Sequence, residues 1–161
     1  MKALVSALVL GVTSGGFVAG AATPAARMES VCRGMSAPER SASALTRPDD
    51  VRSVQEIKPV TPASEAESPA QRWGARLMLR AQPGVTAEWL QRIAECHLAT
   101  LAAQGGGDAR SPLDVKGASV VVRSVGDGFA VDVTAGDPAS GKDILTRALA
   151  LPAPAKSAVR P

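Results

Sequence analysis

From Arg72 to Arg80 apolar and charged residues alternate: Trp73, Ala75, Leu77 and Leu79 interleave with Arg72, Arg76 and Arg80. That period of two predicts a strand with one buried face. Pro83-Gly84 turns the chain, and Thr86 is placed to cap a helix that ends at the Gly105-Gly106-Gly107 run. On that helix Leu90, Ile93, Ala94, His97 and Leu101 share a face, with Trp89 at its edge. A hairpin follows, Ala118 to Val125 and Phe129 to Thr134, around Gly126-Asp127. Pairing Val125 with Gly128 sets Val122 against Val131 and Val120 against Val133, while Val121 meets Asp132 and Arg123 meets Ala130. A slip of one residue would set Arg123 against Val131, so pattern and turn chemistry select the same register. A last helix starts at Asp137 as N-cap with Pro138 behind it, buries Ile144, Leu145, Ala148 and Leu151, and stops at Pro152.

The chain before Arg72 reads differently. Lys2 precedes an apolar run from Ala3 to Val12, and Ala19-Gly20-Ala21 offers a small-residue cleavage site. Residues 1–21 therefore read as a secretory signal peptide. A membrane span needs about 20 mostly apolar residues, and Gly11, Ser14, Gly15 and Gly16 interrupt this one. The mature chain is expected to start near Ala22, to work in the periplasm or outside the cell, and to carry no transmembrane segment. Residues 22–71 are rich in Ala, Ser, Pro and mixed charge, and are expected to be mostly disordered leader and linker. Ser36-Ala37-Pro38-Glu39 fits a capping box and predicts a short helix over 37–45. Residues 72–151 form the predicted domain, and the Pro-containing tail 152–161 is expected to be disordered.

The resulting order, β-α-β-β-α, makes an α+β domain. It resembles the ferredoxin-like split βαβ plan without its final strand, a likeness of architecture alone. Three antiparallel strands would carry two helices on one face, with Arg76, Arg80, Arg123 and Asp132 on the other as a candidate interaction face. The missing strand leaves an edge to protect, either by residues 51–60 or by a second copy of the chain.

Charge changes little in this picture. The 161 residues hold 18 Lys and Arg against 15 Asp and Glu. Between Arg72 and Leu151 the count is nine basic against eight acidic, so the predicted domain is close to neutral. There is no Tyr, and only two Trp and two Phe. Neither a basic stripe nor stacking platforms mark a nucleic-acid surface.

Candidate chemistry is sparse. Gly136-Asp137-Pro138-Ala139-Ser140-Gly141-Lys142 fits G-x-x-x-x-G-K between a strand and a helix. However, Asp143 replaces the metal-binding hydroxyl, Pro138 removes an N–H from the cradle, and Asp137 adds negative charge to it. A plain helix N-cap explains the same residues, and no nucleotide is expected. His97 is the single histidine and adjoins Cys96. Neighbours on a helix point about 100° apart, the wrong geometry for a Cys-His pair. The two cysteines, Cys32 and Cys96, suggest a disulfide in an exported chain. The alternative is a soft-metal site for Cu(I) made from Met28, Cys32 and Met35, spaced i, i+4, i+7, with Cys96 or His97.

The leading functional expectation is thus an exported, non-enzymatic module without a cofactor, acting through a partner protein or a second copy. A copper or redox protein using Cys32 and Cys96 stands second, and a small enzyme centred on His97 third.

Overall fold

The computed structural model describes residues 22–41, 50–59 and 71–151. The signal segment, the Pro62–Pro69 linker, the end of the short helix predicted over 37–45, and the tail lie outside them. The elements are α1 (Pro24–Val31), α2 (Ala37–Ser41), β1 (Val51–Ile57), β2 (Trp73–Arg80), α3 (Ala87–Gln104), β3 (Ser119–Val125), β4 (Gly128–Ala135) and α4 (Pro138–Leu149). The fold is α+β, with one four-stranded antiparallel sheet in the order β1-β2-β4-β3.

The local signals act where the sequence places them. Thr86 Oγ1 accepts a hydrogen bond from Trp89 N at 3.2 Å, opening α3. Gly105 closes it in the left-handed conformation, φ 76°. Asp137 Oδ1 accepts from Ser140 N at 2.9 Å, with Pro138 in the first turn of α4. Gly126, φ 53°, turns the β3–β4 hairpin in the register that patterning predicts, from Val120↔Val133 to Val125↔Gly128. β4 also pairs with β2, which places Arg76 opposite Asp132 and Leu77 opposite Val131. Two successive antiparallel pairings make β2 and β3 parallel, joined through α3, with β4 inserted between them.

The expected sheet of three strands is corrected to four. The additional strand is β1, from the segment expected to be mostly disordered, and it takes the edge beside β2. Its apolar residues Val51, Val54 and Ile57 come every third position and so carry no strand period. A register shift between Val51 and Ser53 explains this: the irregularity lets both Val51 and Val54 oppose core residues, Leu79 and Leu77. Arg52, beside that irregularity, holds the hairpin turn through Asp127, with both guanidinium–carboxylate contacts at 2.7 Å.

A single main core fills the space between the sheet and α3 and α4. Leu77, Val131, Val133 and Ile144 are fully buried there, with Leu90, Ala94 and Leu101 from α3. α1 and α2 pack on α3, and α1 with the turn that follows it forms a separate small cluster with α3. Cys96 lies two positions after Ala94, about 200° round the helix, so the cluster uses the side of α3 turned away from the sheet. The chain therefore stacks three layers: sheet, then α3 and α4, then α1 and α2.

Candidate functional site

Three places bring chemistry-bearing side chains together. The first is the small cluster. Cys32 and Cys96 are bonded, with sulfurs 1.99 Å and Cα atoms 5.0 Å apart, and neither cysteine is free. Met35 and Ile93 are buried with them, and Met28 and Val31 pack against the group. The local chain explains the convergence. Thr23 caps α1 through Ala26 N, the helix stops at Val31, and Gly34 at φ 76° reverses the chain. Arg92 reaches across from α3 and donates to Arg33 O at 2.6 Å. Ser36 then opens α2 as a capping box, its N donating to Glu39 Oε2 at 2.7 Å and its Oγ accepting from Glu39 N at 3.4 Å. Hydrogen bonding from Ser36 holds the Glu39 carboxyl below its ordinary range. The i, i+4, i+7 spacing thus does not run along one continuous helix, yet Met28, Cys32, Met35 and Cys96 still meet. Among the described residues, His97 does not gather with the two cysteines as a three-ligand group.

His97 is half-buried, and its Nε2 is buried without a hydrogen-bond partner among the described residues. Burial pushes its pKa down, opposed by the charges of Asp108 and Asp114. A depressed folded pKa means that the unfolded chain binds the proton first as pH falls. Stability is then fully retained above about pH 6.5 and is lost as pH drops towards the lower folded value. Melting temperature measured from pH 7.5 to 5.5 should fall for the wild type and stay flatter for His97→Leu, whose leucine leaves no buried nitrogen unpaired. Parallel curves would remove His97 as the cause.

The second place is the face of the sheet that no described helix covers, where Arg76, Asp132 and Arg123 form one ion-pair cluster. Arg76 Nε and Nη2 bond Asp132 Oδ1 and Oδ2 at 2.6 and 2.9 Å, and Arg123 Nη2 contacts Oδ2. Burial works to raise the Asp132 carboxyl, but hydrogen bonds and charge from Arg76 and Arg123 outweigh it and hold the group below its usual range. Asp132 raises the pKa of Arg76 in turn. Arg80 is exposed at the end of β2, outside this cluster. Val121 shares the face and is 48% exposed, with Met78 half-buried nearby on β2.

The third is an open groove of about 1200 Å³ between α1, the flank of α3 and residues 105–118, floored by Val31, Leu98, Ala99 and Val120. Sequence reasoning misses it because the loop is ordered by distant residues. The Asp114 carboxylate accepts from Gly107 N and Asp108 N at 3.0 and 2.8 Å. Arg147, held by Asp143 on α4, donates to Asp114 O at 2.8 Å.

The edges of the sheet are β1 and β3. β1 pairs along β2, one of the two ways expected to cover that edge, and is itself an edge strand. At the other edge Gln91 behaves as a short strand substitute: its Nε2 donates to Val120 O at 3.1 Å and its Oε1 accepts from Val122 N at 2.6 Å.

Among the described residues, no three His, Cys, Asp or Glu side chains gather as a metal-ion site, and no helix is long and apolar enough to cross a membrane. No protein-family model, curated protein or solved structure matches the chain at a significant level.

Proposed function

We propose that this chain is an exported binding module, built on a ferredoxin-like plan whose outer strand comes from the N-terminal side. It would engage an acidic surface of a partner protein through the uncovered face of its sheet. One observation carries the reading: that face holds three arginines against one aspartate, and two of the arginines are fixed in place. Asp132 positions Arg76 and Arg123 side by side, so little side-chain entropy remains to be lost when they meet carboxylates. Exposed Val121 beside them supplies apolar contact. Self-association by strand pairing finds less support at the β3 edge, part of which Gln91 covers. A bonded cysteine pair suits an oxidising compartment, in line with the signal-like opening of the chain.

The test is site-specific photocrosslinking in cells that naturally make the protein. A photoreactive residue at Val121 should give a discrete adduct with a second protein, and Arg123→Glu should abolish it. The same residue at Lys142, exposed on α4, should give none. Mass spectrometry of the adduct should find this chain starting near Ala22. A dimer of the chain, an adduct insensitive to Arg123→Glu, or equal crosslinking from Lys142 would each refute the proposed face. A retained Met1 would refute export.

A further inference from the structure

We infer that the small cluster between α1 and α3 becomes a Cu(I) site when the Cys32–Cys96 disulfide is reduced. The inference uses a different part of the molecule from the proposed sheet face. Both cysteines of the chain and two of its four methionines stand in one cluster. The other members, Ile93 and Val31, are aliphatic. The neutral Thr100 hydroxyl, 4.0 Å from Cys32 Sγ, is engaged with Cys96 O. Among the described residues no His, Asp or Glu side chain joins Cys32 and Cys96 as a third metal ligand, so the donors that the cluster offers are two thiolates and two thioethers. That set is soft throughout and selects Cu(I) over Zn(II), for which nitrogen and oxygen ligands would compete. Cys32, Met35 and Cys96 are 6%, 7% and 0% exposed. A metal there would be shielded from water, and the apolar shell would disfavour the more strongly hydrated Cu(II). Methionine fits such a role because its unbranched chain lets sulfur shift without displacing the backbone.

The chemistry balances with a dithiol as reductant. The dithiol gives two electrons and two protons to the Cys32–Cys96 bond and becomes a disulfide itself, leaving one thiol on each cysteine. Cu(I) then displaces the proton from each thiol it binds and keeps its oxidation state. The disulfide would thus keep the site closed, and reduction would open it. α1 and α2 pack on α3, α1 and the turn between them through this cluster and the Arg92–Arg33 bond. Those helices can adjust around a metal while the sheet and main core stay in place.

The experiment is an anaerobic competition between the protein and the coloured Cu(I) complex of bicinchoninate. Full-length mature protein is measured oxidised, and again after reduction with dithiothreitol and desalting. Reduced protein should withdraw one Cu(I) per chain, and oxidised protein none. Met28→Leu and Met35→Leu, similar in volume, should keep the melting temperature of the oxidised form and weaken Cu(I) binding at least about tenfold each. His97→Gln should leave binding unchanged. Failure of the reduced protein to compete, equal uptake by oxidised protein, unchanged affinity in both methionine variants, or a loss in His97→Gln as large as theirs would each overturn the site.

Discussion

Loss of the Cys32–Cys96 bond is expected to lower the melting temperature by roughly 10–20 °C. The bond spans a sequence separation of 64, and the chain-entropy relation gives about 4 kcal/mol for a loop of that size. For a domain of this size each kcal/mol moves the midpoint by several degrees. The structure adds a reason for the bond to matter locally. α1 buries none of its own residues fully, and a helix of eight residues is marginal alone in water. Its place on α3 depends on the disulfide and on Met35 packing beside Ile93. Cys32→Ala, Cys96→Ala and the double variant should melt together, because either single change already opens the loop. Thermal melts of the three variants, with limited proteolysis alongside, check this. New cleavage between Ala22 and Ser41 at temperatures where β2 to α4 stay intact would show the peripheral layer leaving first. Variants that melt within about 2 °C of the wild type would show that the bond closes no loop the unfolded chain could otherwise explore.

What could be read in the sequence, and what could not, follows the range of the interactions. β2, α3, the β3–β4 hairpin and α4 are specified by neighbours: alternation in Trp73–Leu79, Thr86 and Gly105 at the ends of one helix, Gly126 between matched strands, Asp137-Pro138 before another helix. Each of these signals works within a few residues, and each appears in the structure. β1 is legible only as one of two ways to cover the edge beside β2, because the irregularity at Arg52 breaks the strand period and the core contacts that explain Val51 and Val54 come from β2. α1 escapes because its stability comes from a cluster that includes residues of α3. The cluster on the open face was only half legible. The hairpin register brings Arg123 near Asp132, but Arg76 meets it through β2–β4 pairing across 56 residues, which no local pattern encodes. The groove along residues 105–118 was not legible at all, because Arg147 orders that loop from the far end of the domain. The sulfur cluster is the reverse case. Spacing marks Met28, Cys32 and Met35 as one helical stripe, yet a turn at Gly34 brings them together instead.

Gly141→Ala should destabilise the protein by about 2–3 kcal/mol even though it replaces glycine with the best helix former. Gly141 is the fourth residue of α4 and is buried against β2. A Cβ there would stand 2.2 Å from Trp73 Cβ, 2.8 Å from Trp73 C and 3.0 Å from Trp73 Cα. Two of those atoms are backbone of a paired strand, Trp73 opposite Ala135, so they cannot step aside as a flexible side chain would. The helix must retreat instead, loosening Ile144 and Ala148, which are both fully buried against the sheet. Overpacking of this kind typically costs about 1–3 kcal/mol, and lost core contact around Ile144 adds to it. The gain in helix propensity returns only about 1 kcal/mol. Gly136, the other glycine of the G-x-x-x-x-G-K pattern, meets nothing within 4 Å of its would-be Cβ. Gly136→Ala should therefore stay within about 0.5 kcal/mol of the wild type. A phosphate cradle would have needed both glycines, whereas helix–strand packing needs only Gly141. Urea unfolding of the two variants separates these demands. Adding Trp73→Ala to Gly141→Ala sharpens the test, because alanine keeps the offending Cβ and the backbone behind it. The double variant should recover none of the loss. Recovery would make the indole ring the obstacle, and a Gly141→Ala protein as stable as the wild type would mean that α4 does not rest on the backbone of β2.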